Sequence, residues 1–322
     1  MQTKSCLVCN LHNETPNTIE LQELQLGLKE KFQYQFCDNC GSLQLVDVPS
    51  NLGKYYPNED YYSFNLEIDF SSKKDVLRKI KTDYLLFGKQ PVLGFLLSIG
   101  YKPNEIYDWV KYTKSQYNSS ILDVGTGNGS LLSRLQKLGF TNLTGIDPFI
   151  NESKDYGNIK ILKKDLFEME EKFDVIMMHH SLEHTLNPQE VLTKVYSLLN
   201  KGGRALIRVP IMGNYGWKTY KEFWCGLDAP RHIFIPTEKG LKQMCTAAGF
   251  TTDKFYYDSS EYVLWCSEQY KMGIPLHDKK SHLIDNKNSH FSREEILRLR
   301  KIIVEENKKN NGDMACIYLS KP

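Results

Sequence analysis

Between residues 120 and 210, short apolar runs alternate with stretches in which apolar residues recur at helical spacing. Short apolar runs bounded by turn residues are typical of buried strands, and the stretches between them leave room for crossover helices. The runs are Ile121–Val124, Leu143–Ile146, Ile159–Leu162, Phe173–Met178 and Arg204–Val209. This alternation predicts an α/β fold built on a parallel sheet.

The C-terminal part of the chain continues this pattern with more helices than strands. Thr237–Ala248 carries a capping Thr at its start and Gly249 at its end, which indicates a helix. The runs Thr252–Tyr257 and Met314–Leu319 predict two more strands. We therefore expect one large domain over residues 116–322, with insertions at 210–236 and 259–312.

Two smaller regions precede this domain. Residues 1–55 contain strand-like runs between two pairs of cysteines, and are predicted to form a separate module. Residues 56–115 begin with a Tyr-rich segment and continue with apolar residues at helical spacing in Asp75–Leu86 and Pro91–Ile99. This region is predicted to be a helical connector or lid.

Charge and hydropathy exclude several classes of protein. The 41 Lys and Arg against 39 Asp and Glu give a formal net charge of +2, which offers no basic surface for nucleic acid. The first residues contain no apolar leader, and the longest apolar run, near Leu93–Ile99, is too short to span a bilayer. We expect a cytoplasmic protein without membrane insertion, either a monomer or a homodimer.

The paired cysteines indicate a metal site. Cys6, Cys9, Cys37 and Cys40 form the pattern Cys-x2-Cys-x27-Cys-x2-Cys, which is typical of a structural Zn²⁺ bound by four thiolates. Asn10 and Gly41 follow the two pairs and tolerate the positive φ of a tight knuckle. The alternatives are four free buried thiols or a redox pair.

A glycine-rich turn follows the first buried strand of the large domain. Gly125, Gly127 and Gly129 lie between this strand and a predicted helix, where glycine lets the backbone approach a ligand. By itself the pattern is also compatible with a tight turn that binds nothing. Asp147 ends the next strand and can accept ribose hydroxyls. Asp123 precedes the turn, and its charge disfavours a pyrophosphate but suits a sulfonium or an ammonium group.

These blocks, together with Lys164-Asp165-Leu166 and Phe173-Asp174-Val175-Ile176, resemble class I S-adenosylmethionine-dependent methyltransferases. The resemblance implies a Rossmann-like, seven-stranded sheet whose last strand runs antiparallel. It implies S-adenosylmethionine as the cofactor, with the ribose at Asp147, the adenine near Asp165 and the methionine end at the backbone of His179. The cofactor-binding residues that it implies are Asp123, Gly125, Thr126, Gly127, Gly129, Asp147, Pro148, Asp165, Leu166 and His179.

The residues on the acceptor side are less well defined. His180 and His232 are candidate general bases, because an imidazole titrates near neutral pH. Arg231 is a candidate for gripping a phosphate or carboxylate, and Tyr61 for lining the acceptor pocket, although a surface loop and interdomain packing explain them equally well. His180, Glu183 and His184 also resemble the segment that binds a divalent cation in quinone-biosynthesis O-methyltransferases, with His180 in place of the first acid.

The cysteine module and the segments Asp228–His232, Gly273–Leu276 and Gly312–Ala315 resemble methyltransferases from surface-polysaccharide gene sets. This resemblance implies a small-molecule acceptor, such as a sugar, a nucleotide sugar or a glycan unit. The alternatives are O-methylation of a quinone or other small aromatic, and a non-catalytic protein that binds the cofactor or docks a partner. Methylation of nucleic acid is disfavoured by the charge and by His-His-Ser-Leu where base-methylating enzymes often carry Asn/Asp-Pro-Pro-Tyr/Phe.

Overall fold

The computed structural model describes residues 5–12, 17–56 and 76–322. Its strands are β1 (Thr18–Gln22), β2 (Lys31–Phe36), β3 (Leu43–Leu45), β4 (Ile121–Val124), β5 (Leu143–Ile146), β6 (Lys154–Asp155), β7 (Ile159–Leu162), β8 (Phe173–His179), β9 (Leu199–Pro210), β10 (Phe234–Ile235), β11 (Thr251–Tyr257) and β12 (Met314–Ser320). Its α-helices are α1 (Val76–Phe87), α2 (Pro91–Ser98), α3 (Glu105–Tyr112), α4 (Ser130–Leu138), α5 (Pro188–Leu198), α6 (Tyr215–Tyr220), α7 (Glu238–Ala247), α8 (Tyr262–Lys271) and α9 (Arg293–Lys308).

The larger sheet has the strand order β11-β12-β9-β8-β4-β5-β7-β6. Strand β4 pairs in parallel with both β5 and β8, and β5 pairs in parallel with β7. The last strand in the chain, β12, lies between β11 and β9 rather than at an edge. The predicted Rossmann-like α/β sheet is therefore confirmed, with the short antiparallel β6 added at its edge.

The direction of β12 follows from hydrogen bonds at both of its ends. Near its end, Lys321 accepts from the N–H of Gly202, close to the start of β9, at 3.0 Å. Just before its start, Asp313 accepts from the N–H of Ile211, directly after β9, at 2.8 Å. The start of one strand thus lies beside the end of the other, so β12 runs antiparallel, as predicted.

The chain divides into two compact units that do not follow the order of the sequence. The first unit comprises Met1–Pro57, His180–Thr193 and Ile207–Ile317. The second comprises Asn58–His179, Lys194–Leu206 and Tyr318–Pro322. The three consecutive segments predicted from sequence remain a prediction.

In the second unit, buried apolar residues hold the parallel strands and their helix together. All four residues of β4 are buried, because a strand in the middle of a sheet covered on both faces has no solvent side. Helix α4 buries Leu132 and Leu135 at helical spacing, and it ends at Gly139 with φ of 109°. This packing fixes the β4–α4 connection, where the glycine-rich turn lies.

The first unit contains a second, antiparallel sheet in the order β1-β2-β3-β10. Strands β1, β2 and β3 come from the cysteine module, whereas β10 comes from residues predicted to be a loop insertion. Phe234 pairs with Gln44, and Ile235 with Leu43. The 210–236 stretch is therefore not simply a loop, since it also contains α6 and completes the module's sheet.

A buried ion cluster holds three parts of the first unit together. Arg231 is fully buried, and its Nε donates to both carboxylate oxygens of Asp228 at 3.1 and 3.0 Å. Its Nη2 also contacts Asp228, and lies 3.4 Å from Oε1 of the buried Glu23. Its Nη1 donates to the carbonyl of Tyr55 at 2.9 Å. Desolvation is offset by these partners, which together hold the pKa of Arg231 above its usual value.

No helix in the described residues is long and apolar enough to cross a bilayer.

Replacing Arg231 with Met is expected to lower the free energy of unfolding by about 3–5 kcal/mol, because Asp228 and Glu23 would keep buried charges without their partner. Urea denaturation followed by circular dichroism measures this change. The control is Arg300→Met, which removes an exposed ion pair with Glu261 and should cost less than about 1 kcal/mol. Equal losses in the two variants would contradict the structural role of Arg231.

Candidate functional site

The glycine-rich turn has backbone geometry that side chains other than glycine rarely adopt. Gly125, Gly127 and Gly129 have φ angles of 77°, 52° and 82°. The turn is tied to β5, since the N–H groups of Gly125 and Thr126 both donate to the carbonyl of Ile146, at 2.9 and 3.1 Å. These bonds hold the turn in one shape at the carboxyl end of β4, the edge where open α/β sheets bind ligands.

The strand next to this turn leaves no space for larger side chains. A Cβ on Gly145, in β5, would lie only 2.5 Å from Oγ1 of Thr126. Glycine at this position therefore lets Thr126 pack directly against β5. Thr126 itself is buried, and its side chain fills the space between the turn and β5.

Asp147 is buried at the end of β5 and braces the turn. One carboxylate oxygen accepts from the N–H of Gly127 at 3.1 Å, and the other accepts from the N–H of Phe149 at 2.9 Å. Burial raises the pKa of Asp147, while these two hydrogen bonds oppose the rise. Each oxygen keeps a lone pair that can accept a hydroxyl, as the predicted ribose role requires.

Asp123 is buried at the base of the turn, and its charge is poorly compensated. Burial and the nearby Asp147 raise its pKa, and contact with Thr126 opposes the rise, with a net value of about 7. Two neighbouring buried carboxyl groups favour a cation, which stabilises their ionised forms. The site is therefore suited to a positively charged ligand rather than to a pyrophosphate.

The other predicted cofactor residues follow the neighbouring strands. Asp165 is exposed and caps a short turn by accepting from the N–H of Phe167 at 2.8 Å, while Leu166 is buried. Pro148 is exposed directly after Asp147. His179 ends β8, and its ring lies 4.3 Å from that of Trp109. Sequence reasoning did not single out Trp109, because an aromatic in a helical pattern has no feature that separates a site residue from a core residue.

The four cysteines of the module converge in the first unit. Their sulfur atoms all lie within 4.8 Å of one another, with Cys6–Cys40 at 3.7 Å and Cys9–Cys37 at 3.5 Å. Asn10 and Gly41 adopt positive φ, as predicted. The hydrogen bond from Cys6 lowers the pKa of Cys40, which favours the thiolate form that a metal ion needs. This arrangement can hold a tetrahedral metal ion.

A second cluster in the first unit surrounds the buried carboxylate of Glu183. The ligand atoms of Glu183, His184 and His232 lie within 4.8 Å of one another. Neither oxygen of Glu183 has a hydrogen-bond partner of ordinary geometry among the described residues. Burial disfavours its charge, but contacts with His180, His184 and His232 outweigh burial and lower its pKa. The group is therefore an ionised carboxylate facing imidazoles, which can stabilise a proton or hold a cation.

Backbone carbonyls fix the orientation of two of these imidazoles. Nδ1 of His232 lies 2.9 Å from the carbonyl of Gly226, and Nδ1 of His184 lies 2.9 Å from the carbonyl of Arg231. Because a carbonyl only accepts, each Nδ1 carries the hydrogen, and each neutral ring keeps its lone pair on Nε2. Burial lowers the pKa of His184, and so does the neighbouring His232.

The two histidines predicted as bases differ in their surroundings. Nε2 of His180 lies 3.1 Å from a nitrogen of Arg208, so the Nε2 lone pair accepts from the guanidinium. Arg208 is also ion-paired with Asp258. Nε2 of His232 instead faces two carboxylates, with Glu183 at 3.9 Å and Asp228 at 3.8 Å. Nδ1 of His180 also lies 3.4 Å from Glu183, so the two rings differ in that the Nε2 lone pair of His180 is engaged by Arg208 whereas that of His232 is available.

Of the two residues predicted to contact the acceptor, only Arg231 lies within the described residues. Arg231 is buried, and it directs its donors at Asp228, Glu23 and the Tyr55 carbonyl. Tyr61 lies outside the described residues. Sequence reasoning missed Glu23 and Asp228 as partners of Arg231, because no local pattern distinguishes a guanidinium that binds a substrate from one that binds two buried acids.

Comparisons with known proteins show the class of enzyme. A family model described as a methyltransferase domain matches residues 100–254, which include the glycine-rich turn and the strand ends around it. The ubiquinone biosynthesis O-methyltransferase of Rickettsia bellii is 31% identical over 178 residues, which are 51% of this chain and 70% of that protein. The chain belongs to the S-adenosylmethionine-dependent methyltransferases.

Other relatives of this methyltransferase are named for different acceptors. A tRNA U34 carboxymethyltransferase from Campylobacter fetus is 26% identical over 231 residues, covering 66% of this chain and 80% of that protein. Human EEF1A lysine methyltransferase 2 is 36% identical over 75 residues, and the match covers only 32% of its length. Among solved structures, the cyclopropane synthase MmaA2 from Mycobacterium tuberculosis has a TM-score of 0.45 at 15% identity, covering 80% of this chain and all of that one.

Cofactor affinity of the methyltransferase is expected to rise about tenfold between pH 6 and pH 8. A cationic ligand binds the ionised form of Asp123, and a carboxyl with a pKa of about 7 is mostly protonated at pH 6. Calorimetric titration of S-adenosylmethionine across this range measures the effect. Asp123→Asn should bind more weakly and lose this dependence, so a variant that keeps the wild-type pH profile would contradict the assignment.

Proposed function

We propose that this methyltransferase transfers a methyl group to a hydroxyl of a small molecule, and that the favoured acceptor is a sugar, nucleotide sugar or glycan unit. The observation that carries the proposal is the orientation of His232, whose Nε2 lone pair faces Glu183 and Asp228. Methylation of a hydroxyl releases a proton, which a positioned base must take up.

The second unit would hold the cofactor. Its buried acids Asp123 and Asp147 fit the positive charge and the ribose hydroxyls, respectively. Asp165 and Leu166 would lie at the adenine, and the backbone of His179 at the methionine end, as the family resemblance implies. When bound, S-adenosylmethionine supplies an electrophilic methyl group on a sulfonium.

His232 would act as the general base. Nε2 of His232 would take up the hydroxyl proton as the acceptor oxygen gains the methyl group that the cofactor would supply from its sulfonium. The products are a methyl ether and S-adenosylhomocysteine. Asp228 and Glu183 stabilise the imidazolium that forms, and the Gly226 carbonyl holds Nδ1 in place. His180, which accepts from Arg208, is the weaker candidate.

The acceptor class rests on the cysteine module and the Asp228–His232 segment, which resemble those of methyltransferases from surface-polysaccharide gene sets. In this chain the two features are parts of one folded unit, since β10 follows His232 and pairs with β3 of the module. Arg231 contributes by holding this segment, rather than by gripping the acceptor. An aromatic hydroxyl is the second candidate, favoured by the similarity to the ubiquinone O-methyltransferase of Rickettsia bellii.

Replacing His232 with Gln is expected to lower kcat by about 10²–10⁴-fold, because a general base contributes on this scale. The measurement is methyl transfer from labelled S-adenosylmethionine to a panel of nucleotide sugars, with catechols and unmodified tRNA as competing acceptor classes. Cofactor affinity should be unchanged. The matched control is His282→Gln, a substitution in the C-terminal insertion that should keep full activity.

Three results would overturn parts of this proposal. Turnover of a catechol or of tRNA but of no sugar would exclude the acceptor class. Full activity of His232→Gln would exclude the base. Complete loss of wild-type activity with EDTA, while the cysteine module keeps its metal, would mean that Glu183, His184 and His232 hold a cation instead.

We propose further that the four cysteines bind one structural Zn²⁺. Cys37→Ser is expected to reduce zinc to well below one ion per chain and to destabilise the first unit, because the ion would join the two cysteine knuckles. Elemental analysis and thermal unfolding measure the two effects. Cys245→Ser, which removes a buried thiol elsewhere, should keep the zinc. Native protein without zinc would disprove the site.

A further inference from the structure

Helix α2 presents most of its large side chains to solvent and its smallest residue to the protein. Val92, Phe95 and Ile99, which directly follows the helix, are 76%, 57% and 67% exposed, and Leu93 and Leu96 are exposed as well. The one buried residue of the helix is Gly94. This is the reverse of the pattern in a helix that packs onto a core, where the apolar face is buried.

This orientation is fixed by close packing between α1 and α2. A Cβ on Gly94 would lie 2.2 Å from Cβ of Tyr84, so only glycine allows the two helices to approach this closely. Ser98 donates from its hydroxyl to the carbonyl of Gly94 at 2.7 Å, which ties down the last turn. The apolar residues are therefore held outward by the hairpin itself, and we call Val92, Leu93, Phe95, Leu96 and Ile99 the α2 patch.

The sequence around the patch is strongly basic. Residues 76–103 contain five basic residues and one acidic residue, a net charge of +4, whereas the whole chain has a net charge of +2. The basic residues are Arg78, Lys79, Lys81, Lys89 and Lys102. The acid, Asp83, is buried, and it is engaged by Lys79 at 3.0 Å and by the hydroxyl of Tyr117. Lys89 and Lys102 are exposed on either side of the helix in sequence.

We propose that the α2 patch docks on the surface of an anionic lipid bilayer. Apolar side chains bordered by lysines are typical of interfacial helices, because the apolar part enters the boundary between headgroups and acyl chains while the ammonium groups contact lipid phosphates. A protein partner is a weaker explanation, since lysine is depleted in protein interfaces. An eight-residue helix cannot span a bilayer, so the contact is peripheral.

The test is co-sedimentation of the full chain with vesicles of phosphatidylcholine alone or with 30–40% phosphatidylglycerol (roughly the charge density at which surface attraction becomes strong). Wild type should bind the anionic vesicles and lose most of this binding in high salt. Phe95→Asn/Ile99→Asn should weaken binding about tenfold or more by removing the inserted side chains. Lys89→Gln/Lys102→Gln should weaken it on anionic vesicles only.

The matched control is Leu283→Asn/Ile284→Asn, which changes an exposed apolar pair in the C-terminal insertion and should bind like wild type. Far-UV circular dichroism of each variant checks that it is folded. No binding of wild type to anionic vesicles would overturn the proposal, and so would equal binding by Phe95→Asn/Ile99→Asn. Self-association that depends on Phe95, without vesicle binding, would assign the patch to a second copy. None of these results depends on methyl transfer.

Discussion

The buried guanidinium of Arg231 is the interaction on which the first unit depends. It joins Asp228 in its own segment, Glu23 after β1 and the carbonyl of Tyr55, three positions far apart in sequence. A buried cation tolerates no looser arrangement, because each missing partner would leave a charge without solvent or counter-ion. His232 directly follows Arg231, so the cluster also fixes the position of the His232 imidazole. The hydroxyl of Tyr34 donates to the backbone carbonyl of His232 at 2.9 Å.

Local signals were enough to predict much of this structure. The glycine-rich turn was predictable because its positive φ angles and its strand and helix neighbours all leave marks within about ten residues of sequence. The convergence of the four cysteines was predictable for the same reason, since each knuckle brings two sulfur atoms together in one short turn. The strands of the parallel sheet were predictable because they are buried on both faces, which makes their runs continuously apolar.

The features that the sequence did not reveal depend on distant partners. Strand β10 has only two residues and no hydrophobic pattern that marks it as a strand. It forms because it pairs antiparallel with β3. The sequence suggested that Arg231 binds an anionic acceptor. Arg231 does bind carboxylates, but they are those of Asp228 and Glu23 within the protein. Glu183 is similar: only the fold shows that its side chain is enclosed by imidazoles rather than exposed on a helix start.

The small antiparallel sheet has a consequence for how this protein can be divided. Its fourth strand lies two residues beyond His232, and Thr237, just after that strand, donates from its hydroxyl to the carbonyl of Cys40 at 2.6 Å. The cysteine module and the segment after His232 therefore share one sheet. A chimaera that exchanged the first 55 residues between relatives would exchange three strands and leave the fourth behind, so recombination must carry both segments together to preserve the fold.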